Sequence, residues 1–170
     1  MTLYYRKFKN ILDTYNFFEN KPKIVVGVSG GPDSIALVML LKKWITEIRG
    51  EITAIVINHN VRKNSLIEAK SVKKYLMRNK INSQIITLRK SKNKNSMNRL
   101  RMKRFKALNN YCKKNNLLHL FLGHHFDDNI ETYINRRISG SSFEGLKSIQ
   151  EITIINKILI IRPLLSFKKK

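Results

Sequence analysis

At 170 residues and 42% hydrophobic content, the chain fits one globular domain with room for a buried core. Lys and Arg number 34 against 11 Asp and Glu, a net charge of +23 that points to a polyanionic partner. Nucleic acid fits better than a membrane surface, because no amphipathic anchor is visible, and the single Cys112 excludes an intrachain disulfide or a multi-cysteine centre built by this chain alone. Lys, Asn and Ile are abundant throughout, as an AT-rich genome would produce, so part of the lysine surplus is compositional. The apolar run Ile35–Leu41 is too short to cross a bilayer, Lys42-Lys43 closes it, and Met1–Lys7 holds no secretory hydrophobic region. The expected location is the cytoplasm, or the matrix or stroma if an organelle genome encodes the chain.

In chain order, residues 1–22 read as a leading amphipathic helix over Leu3–Phe18, with Leu3, Tyr4, Phe8, Ile11, Leu12, Tyr15 and Phe18 near helical spacing and Pro22 ending it. Ile24–Val28 is a β-branched run without alternation, which suits a strand buried on both faces of a parallel sheet. A helix follows over Asp33–Arg49, stopped by Gly50, then a strand over Glu51–Asn58. Ser65–Asn79 reads as a helix with Leu66, Ala69, Val72 and Leu76 inward, and Ser83–Leu88 as a strand. Arg89–Asn95 has no apolar residue and is expected to be mobile. A helix over Met97–Asn115, a strand over Leu117–Leu122 and a helix over Asp127–Ile138 come next. Glu151–Arg162 reads as two strands around Asn156-Lys157. Alternating strands and helices predict an α/β fold with a doubly wound parallel sheet, whose ligands sit beyond the strand C-termini. No internal repeat and no separating linker is visible.

The most informative stretch is Ser29-Gly30-Gly31-Pro32-Asp33-Ser34, between the first strand and its helix. Glycines let backbone N–H groups approach a phosphate, and the helix dipole adds partial positive charge there. Pro32 suits the first helical turn, and Ser29 and Ser34 offer hydroxyl donors. The turn lacks the lysine of the Gly-x4-Gly-Lys-Ser/Thr loop and the third glycine of Gly-x-Gly-x-x-Gly.

Polar residues cluster after two later strands, at Asn58–Arg62 and Gly123–Thr132. On a helix Asp127 and Glu131 stand four apart, and Asp128 and Glu131 three apart, so either pair shares a face. Clustered carboxylates in so basic a chain suit Mg²⁺ carried beside phosphates, whereas helix capping accounts for one aspartate. Zinc is disfavoured, because His124 and His125 are adjacent and no spaced third ligand follows. For His59 by itself, a core or surface histidine is the default.

Ser-Gly-Gly-x-Asp-Ser after an apolar strand resembles the pyrophosphate loop of the N-type ATP pyrophosphatases, the PP-loop superfamily. The resemblance implies ATP use and the adenine nucleotide alpha-hydrolase type of fold over residues 23–170. Ser29–Ser34, Asn58–Ser65, Asn95–Phe105, Gly123–Thr132 and Arg162-Pro-Leu-Leu165 occur in the order seen in the tRNA(Ile)-lysidine synthetase family, which this chain resembles from Lys23 onward. That resemblance implies joining of L-lysine to C2 of the wobble cytidine of an isoleucine tRNA, with ATP and Mg²⁺, through an adenylated tRNA. Ser29 to Ser34 would then hold ATP. Asp128 and Glu131 would handle nucleotide, metal or lysine, with Asp128 as the Mg²⁺ ligand. Asp127, His124, His125 and His59 would shape or serve the same cleft. Arg62, Arg101, Arg104 and Arg162 would contact the tRNA or face the cleft. Departures from the family pattern are Asn129 for Gln, Asn60 for Gly, Leu100 for Ala and Phe105 for Tyr.

Three rival readings are a tRNA thiolase, disfavoured because such enzymes carry cysteine pairs, an amidotransferase relative with a glutaminase partner, and an inactive tRNA-binding remnant. Family members continue well past Arg-Pro-Leu-Leu. The domain is therefore expected to be incomplete at its C-terminus, poorly active alone, and completed by a continuation, a second polypeptide or a dimer partner.

Overall fold

The computed structural model describes residues 2–61, 64–89, 97–125 and 149–167. Its elements are α1 (Thr2–Asp13), β1 (Lys23–Val28), α2 (Pro32–Glu47), β2 (Glu51–Asn58), α3 (Ser65–Arg78), β3 (Asn82–Thr87), α4 (Met97–Lys114), β4 (His119–Leu122), β5 (Ile152–Ile155), β6 (Ile158–Ile161) and a 3-10 turn over Pro163–Ser166. They form an α/β fold around one six-stranded sheet, in the order β3-β2-β1-β4-β6-β5. All pairings are parallel except that of β5 with β6, an antiparallel addition at one edge.

Strand β1 shows why its sequence lacks alternation. Ile24, Val26 and Val28 enter one core layer, with Phe8, Leu12, Leu37, Leu41, Trp44 and Phe121. Val25 enters the other, with Ile55, Leu108, Cys112, Leu120 and Ile160. Successive side chains point to opposite faces, and both faces are covered. Helices α1, α2 and α3 supply the first layer and α4 the second, so the sheet is wound on both sides. The chain builds outward from β1 to β2 and β3, then returns to place β4 on β1's other flank. That reversal opens a crevice beyond the C-terminal ends of β1 and β4.

Several expected boundaries move, each for a tertiary reason. Helix α1 ends at Asp13 rather than Phe18, with the Thr14 hydroxyl donating to Ile11 O at 2.7 Å. Tyr15, Phe17 and Phe18 leave the helix for a ring cluster in which Phe18 lies 4.9 Å from Trp44, 5.0 Å from His119 and 6.2 Å from Phe121, between ring centres. Leu3 is 77% and Tyr4 52% exposed, so the inward stripe begins at Tyr5. Leu66, expected inward on α3, is also exposed, while Ala69 and Leu76 are buried.

Arg49, not Gly50, takes the left-handed conformation after α2, with φ 54°. Gly50 is required for close approach instead: a Cβ there would lie 2.4 Å from Pro22 O. The β5–β6 hairpin turns at Asn156 and Lys157 with φ 53° and 65°, the positive pair of a type I′ turn. The helix expected over Asp127–Ile138 and the segment expected to be mobile, from residue 90 on, lie outside the described residues. Among the described residues no helix is long and apolar enough to cross a membrane.

Candidate active site

The turn after β1 leads through two glycines into the N-terminus of α2. Gly30 sits at φ +86°, where L side chains are strained, and an added Cβ would come within 3.0 Å of Val72 Cγ2. Gly31 is the N-cap of α2 with extended backbone and no side-chain cap hydrogen bond, and Pro32 opens the helix. The helix N-terminus is thus left without a side-chain acceptor, the arrangement that receives a phosphate.

Ser34, 6% exposed, staples the turn from inside. Its hydroxyl donates to Gly31 O at 2.9 Å and accepts from Ser29 N at 3.2 Å and from the Ser29 hydroxyl at 3.3 Å. The sequence suggests a Ser34 proton offered outward to a ligand; in the structure that proton closes the loop.

A cavity of about 250 Å³ opens directly on this turn. Ser29, Gly31, Asp33 and Ser34 form its floor, His59 enters from the end of β2, and Gly123 with His124 from the end of β4. Arg101 and Arg104 reach it from α4. A neighbouring cavity of about 260 Å³ shares Ser29 and His59 and continues toward Asn58, Ser65 and Glu68. His125 Nε2 lies 3.4 Å from Asp33 Oδ2, linking the end of β4 to the first turn of α2.

Two glycines that sequence reasoning did not single out make this convergence possible. A Cβ on Gly123 would stand 3.2 Å from Ser34 Cα and 3.3 Å from Ser34 N, so the end of β4 rests against the phosphate turn. A Cβ on Gly27 would meet Leu108 Cδ1 at 2.8 Å, so the glycine lets α4 settle over the end of β1 and carry Arg101 and Arg104 inward. A glycine inside a β-branched strand was the available signal for close approach.

The segment after β2 is set by Asn58. Its side chain is buried, its Oδ1 accepts from Asn60 N at 3.0 Å, and its Nδ2 donates to Thr87 Oγ1 at 3.4 Å. Asn60 then takes φ 53°, a left-handed position that asparagine or glycine fills readily. This accounts for an asparagine at position 60. His59, held between them, has a buried Nδ1 with no hydrogen-bond partner among the described residues. Burial lowers its pKa, and the Arg104 charge lowers it further, so the ring is neutral near pH 7.

Arg162 does not line the cavity. Its Nη1 donates to Gln150 O at 2.8 Å and Thr153 Oγ1 at 3.0 Å, strapping the end of β6 to the start of β5. Cys112 is fully buried on the inner side of α4, and burial pushes its thiol up to about 12. Arg62, Asp127, Asp128 and Glu131 lie outside the described residues. Among those described, no three His, Cys, Asp or Glu gather as a metal site. Asp33 is nonetheless an oxygen donor at the cavity wall, of the kind Mg²⁺ takes singly or in pairs beside substrate phosphates.

A glycine turn into an uncapped helix N-terminus, at the switch point of a parallel sheet, is the geometry of nucleotide-binding α/β domains. The sequence model of the PP-loop domain, an ATP-binding family, matches residues 2–170, and the chain belongs to that family. It is 37% identical over 162 residues to the tRNA(Ile)-lysidine synthase of Orientia tsutsugamushi (strain Boryong), covering 94% of this chain and 36% of the relative. Against the tRNA(Ile)-lysidine synthase of the Wolbachia of Brugia malayi (strain TRS) the figures are 34% over 165 residues, 95% of this chain and 38% of the relative. The chain thus spans well under half the length of these relatives. Among solved structures, the U34-tRNA thiolase NcsA from Methanococcus maripaludis with its [4Fe-4S] cluster superposes with a TM-score of 0.81 at 21% identity, over 97% of this chain and 59% of that one. At that identity the likeness speaks for the fold.

Proposed function

We propose that this chain is a PP-loop tRNA-modifying domain that joins L-lysine to C2 of the wobble cytidine of an isoleucine tRNA, using ATP and Mg²⁺. The observation that carries the reading is one cavity combining the Ser29–Ser34 anion grip, a neutral histidine and two arginines, in a chain similar to tRNA(Ile)-lysidine synthases over nearly its whole length.

The reaction has two halves: adenylation of the cytidine C2 oxygen with loss of pyrophosphate, then displacement of AMP by the lysine amine. The turn amides and the α2 dipole receive phosphate charge, and Ser34 keeps those amides aligned. Arg101 and Arg104 hold anionic groups of nucleotide or RNA from the opposite wall. His59, neutral and bordering both cavities, can accept a hydrogen bond from the lysine amine, whose proton goes to a carboxylate or histidine of the cleft. Asp128 and Glu131, with Asp127, His124 and His125, are the further groups for nucleotide, metal or lysine. Mg²⁺ would be held by Asp33 and Asp128, and bound there it offsets phosphate negative charge. The chemistry calls for no protein thiol, and the one cysteine is buried and protonated. That disfavours the thiolase alternative.

The test is mass spectrometry of the wobble nucleoside after incubating the chain with ATP, Mg²⁺, L-lysine and an isoleucine tRNA transcript. Lysidine is the expected product, in low yield or none from the chain alone and readily once the C-terminal remainder of a related lysidine synthase is added. Unmodified cytidine in both reactions, from a folded chain that binds ATP, overturns the reading, and sulfur at C2 would replace it with the thiolase one.

A further inference from the structure

Helix α4 carries Arg99, Arg101, Lys103, Arg104, Lys106, Lys113 and Lys114 and no acidic residue in 18 positions. Its sides are distinct. Leu108 and Cys112 mark the buried side, and Arg101 and Arg104 border the cavity at its N-terminal half. At 3.6 residues per turn, Lys103, Lys106, Lys113 and Lys114 fall on the side away from Leu108. Lys106, Lys113 and Lys114 are exposed and Lys103 partly so, and none has an ion-pair partner among the described residues. They run roughly 16 Å along the helix, at 1.5 Å per residue.

We infer that this outer stripe of α4 is the docking track for the RNA phosphodiester backbone, leading outward from the arginines at the cavity. The inference rests on the RNA substrate proposed above. A nucleotide seated beside Arg101 and Arg104 on the inner side of α4 carries its flanking strand around the helix, a turn of about 10 Å, to the outer side, where four ammonium groups meet phosphates and no carboxylate of α4 repels them. Lysines neutralising phosphates release counterions, which sets both affinity and its salt dependence.

A lysine surplus runs through the whole chain, so position must be separated from bulk charge. Helix α3 supplies the control: it presents Lys70, Lys73, Lys74 and Arg78 beside a surface groove on the opposite face of the sheet, along with Glu68. Two variants of the full chain, K103A/K106A/K113A/K114A on α4 and K70A/K73A/K74A/R78A on α3, each remove four positive charges. Binding of an isoleucine tRNA transcript is titrated against KCl, and ATP binding is measured alongside as a fold control.

The α4 variant is expected to bind tRNA at least about tenfold more weakly, with the log–log salt slope reduced by about 0.7–0.9 for each phosphate that the variant no longer neutralises. The α3 variant is expected to stay within about twofold of wild type, and both keep ATP affinity. Equal weakening of both variants, or an unaffected α4 variant, overturns the track while leaving the RNA reading in place. Failure of the wild-type chain to bind tRNA removes the RNA reading, and the track with it.

Discussion

Strand β4 has a histidine near each end, and the two meet opposite surroundings. His119, at its start, is 1% exposed, its Nε2 is 2.6 Å from Glu19 Oε2, and its ring packs against Phe17 and Phe18. Burial raises the Glu19 carboxyl, but hydrogen bonds from His119 and the backbone outweigh that and hold it below the usual range. His124 borders the cavity just past the other end, and His125 reaches Asp33 at 3.4 Å. The residue type and the strand are the same. What differs is the end of the sheet: at the start of β4 the chain between α1 and β1 closes over the strand, while past its end a helix N-terminus and loops leave a crevice. A histidine's role here follows from that position.

The division predicts that changes at the crevice remove chemistry, while changes at the closed end remove stability. The largest effect belongs to Asp33→Ala or Ser34→Ala, each expected to lower ATP-dependent pyrophosphate release by about 100-fold or more, Ser34→Ala by misaligning the turn amides and Asp33→Ala by removing the proposed Mg²⁺ ligand. ATP–pyrophosphate exchange, beside a circular dichroism melt, measures both quantities. Near-normal release by a folded variant would take the turn out of the mechanism.

His119→Ala should do the reverse, costing about 2–3 kcal/mol of stability through poorer packing and loss of a charge-assisted bond. Its exchange rate should be unchanged at temperatures where it is folded. A rate loss without unfolding would erase the distinction between the two ends.

Gly123→Ala falls between them. The new Cβ would press on Ser34 backbone at 3.2 Å, which cannot rotate away as a side chain could. The expected cost is about 1 kcal/mol of stability and about a tenfold drop in exchange rate from misplacement of the turn. A rate equal to wild type would mean that Gly123 does not position the turn.

Acid should reveal the two ends in separate windows. His59 has its folded value below its ordinary 6.5, so the unfolded chain binds more protons. Its contribution is whole above that value and is lost as pH falls below it. Glu19 likewise has its folded value below its ordinary 4.5, and its contribution is lost only as pH falls through that lower range. Urea midpoints followed from about pH 7.5 to about 2.5 should lose the first window in His59→Gln and the second in Glu19→Gln. Identical pH profiles for wild type and both variants would contradict these assignments. The smallest effect is that of Cys112→Ala, about 1 kcal/mol of stability with unchanged wobble chemistry. Abolition of the reaction would restore a role for the thiol.

Much of the fold was legible because its signals are local. The Ser29–Ser34 turn, the unalternating β1 and the Asn156-Lys157 hairpin each state their conformation within a few residues. The site was legible in part, since strand ends in a parallel sheet attract functional residues and His59, His124 and Asp33 do meet there. Arg162 groups by motif with the arginines expected at the cleft or the tRNA, and nothing in its neighbours announces the bonds to Gln150 and Thr153 that strap β6 to β5.

By itself the sequence determined the order of the described strands and helices, the glycine turn at Ser29–Ser34 and the surplus of positive charge, because backbone preference and burial period act over short stretches. Tertiary structure alone decided where α1 stops, since Phe17 and Phe18 have partners in β4 and α2 that no local pattern contains. It decided that Gly50 serves close approach while Arg49 takes the left-handed turn, because Pro22 O lies where a Cβ on residue 50 would stand. It also decided that Arg101 and Arg104 face a turn some seventy residues earlier in the chain, because Gly27 leaves room for α4 over the end of β1.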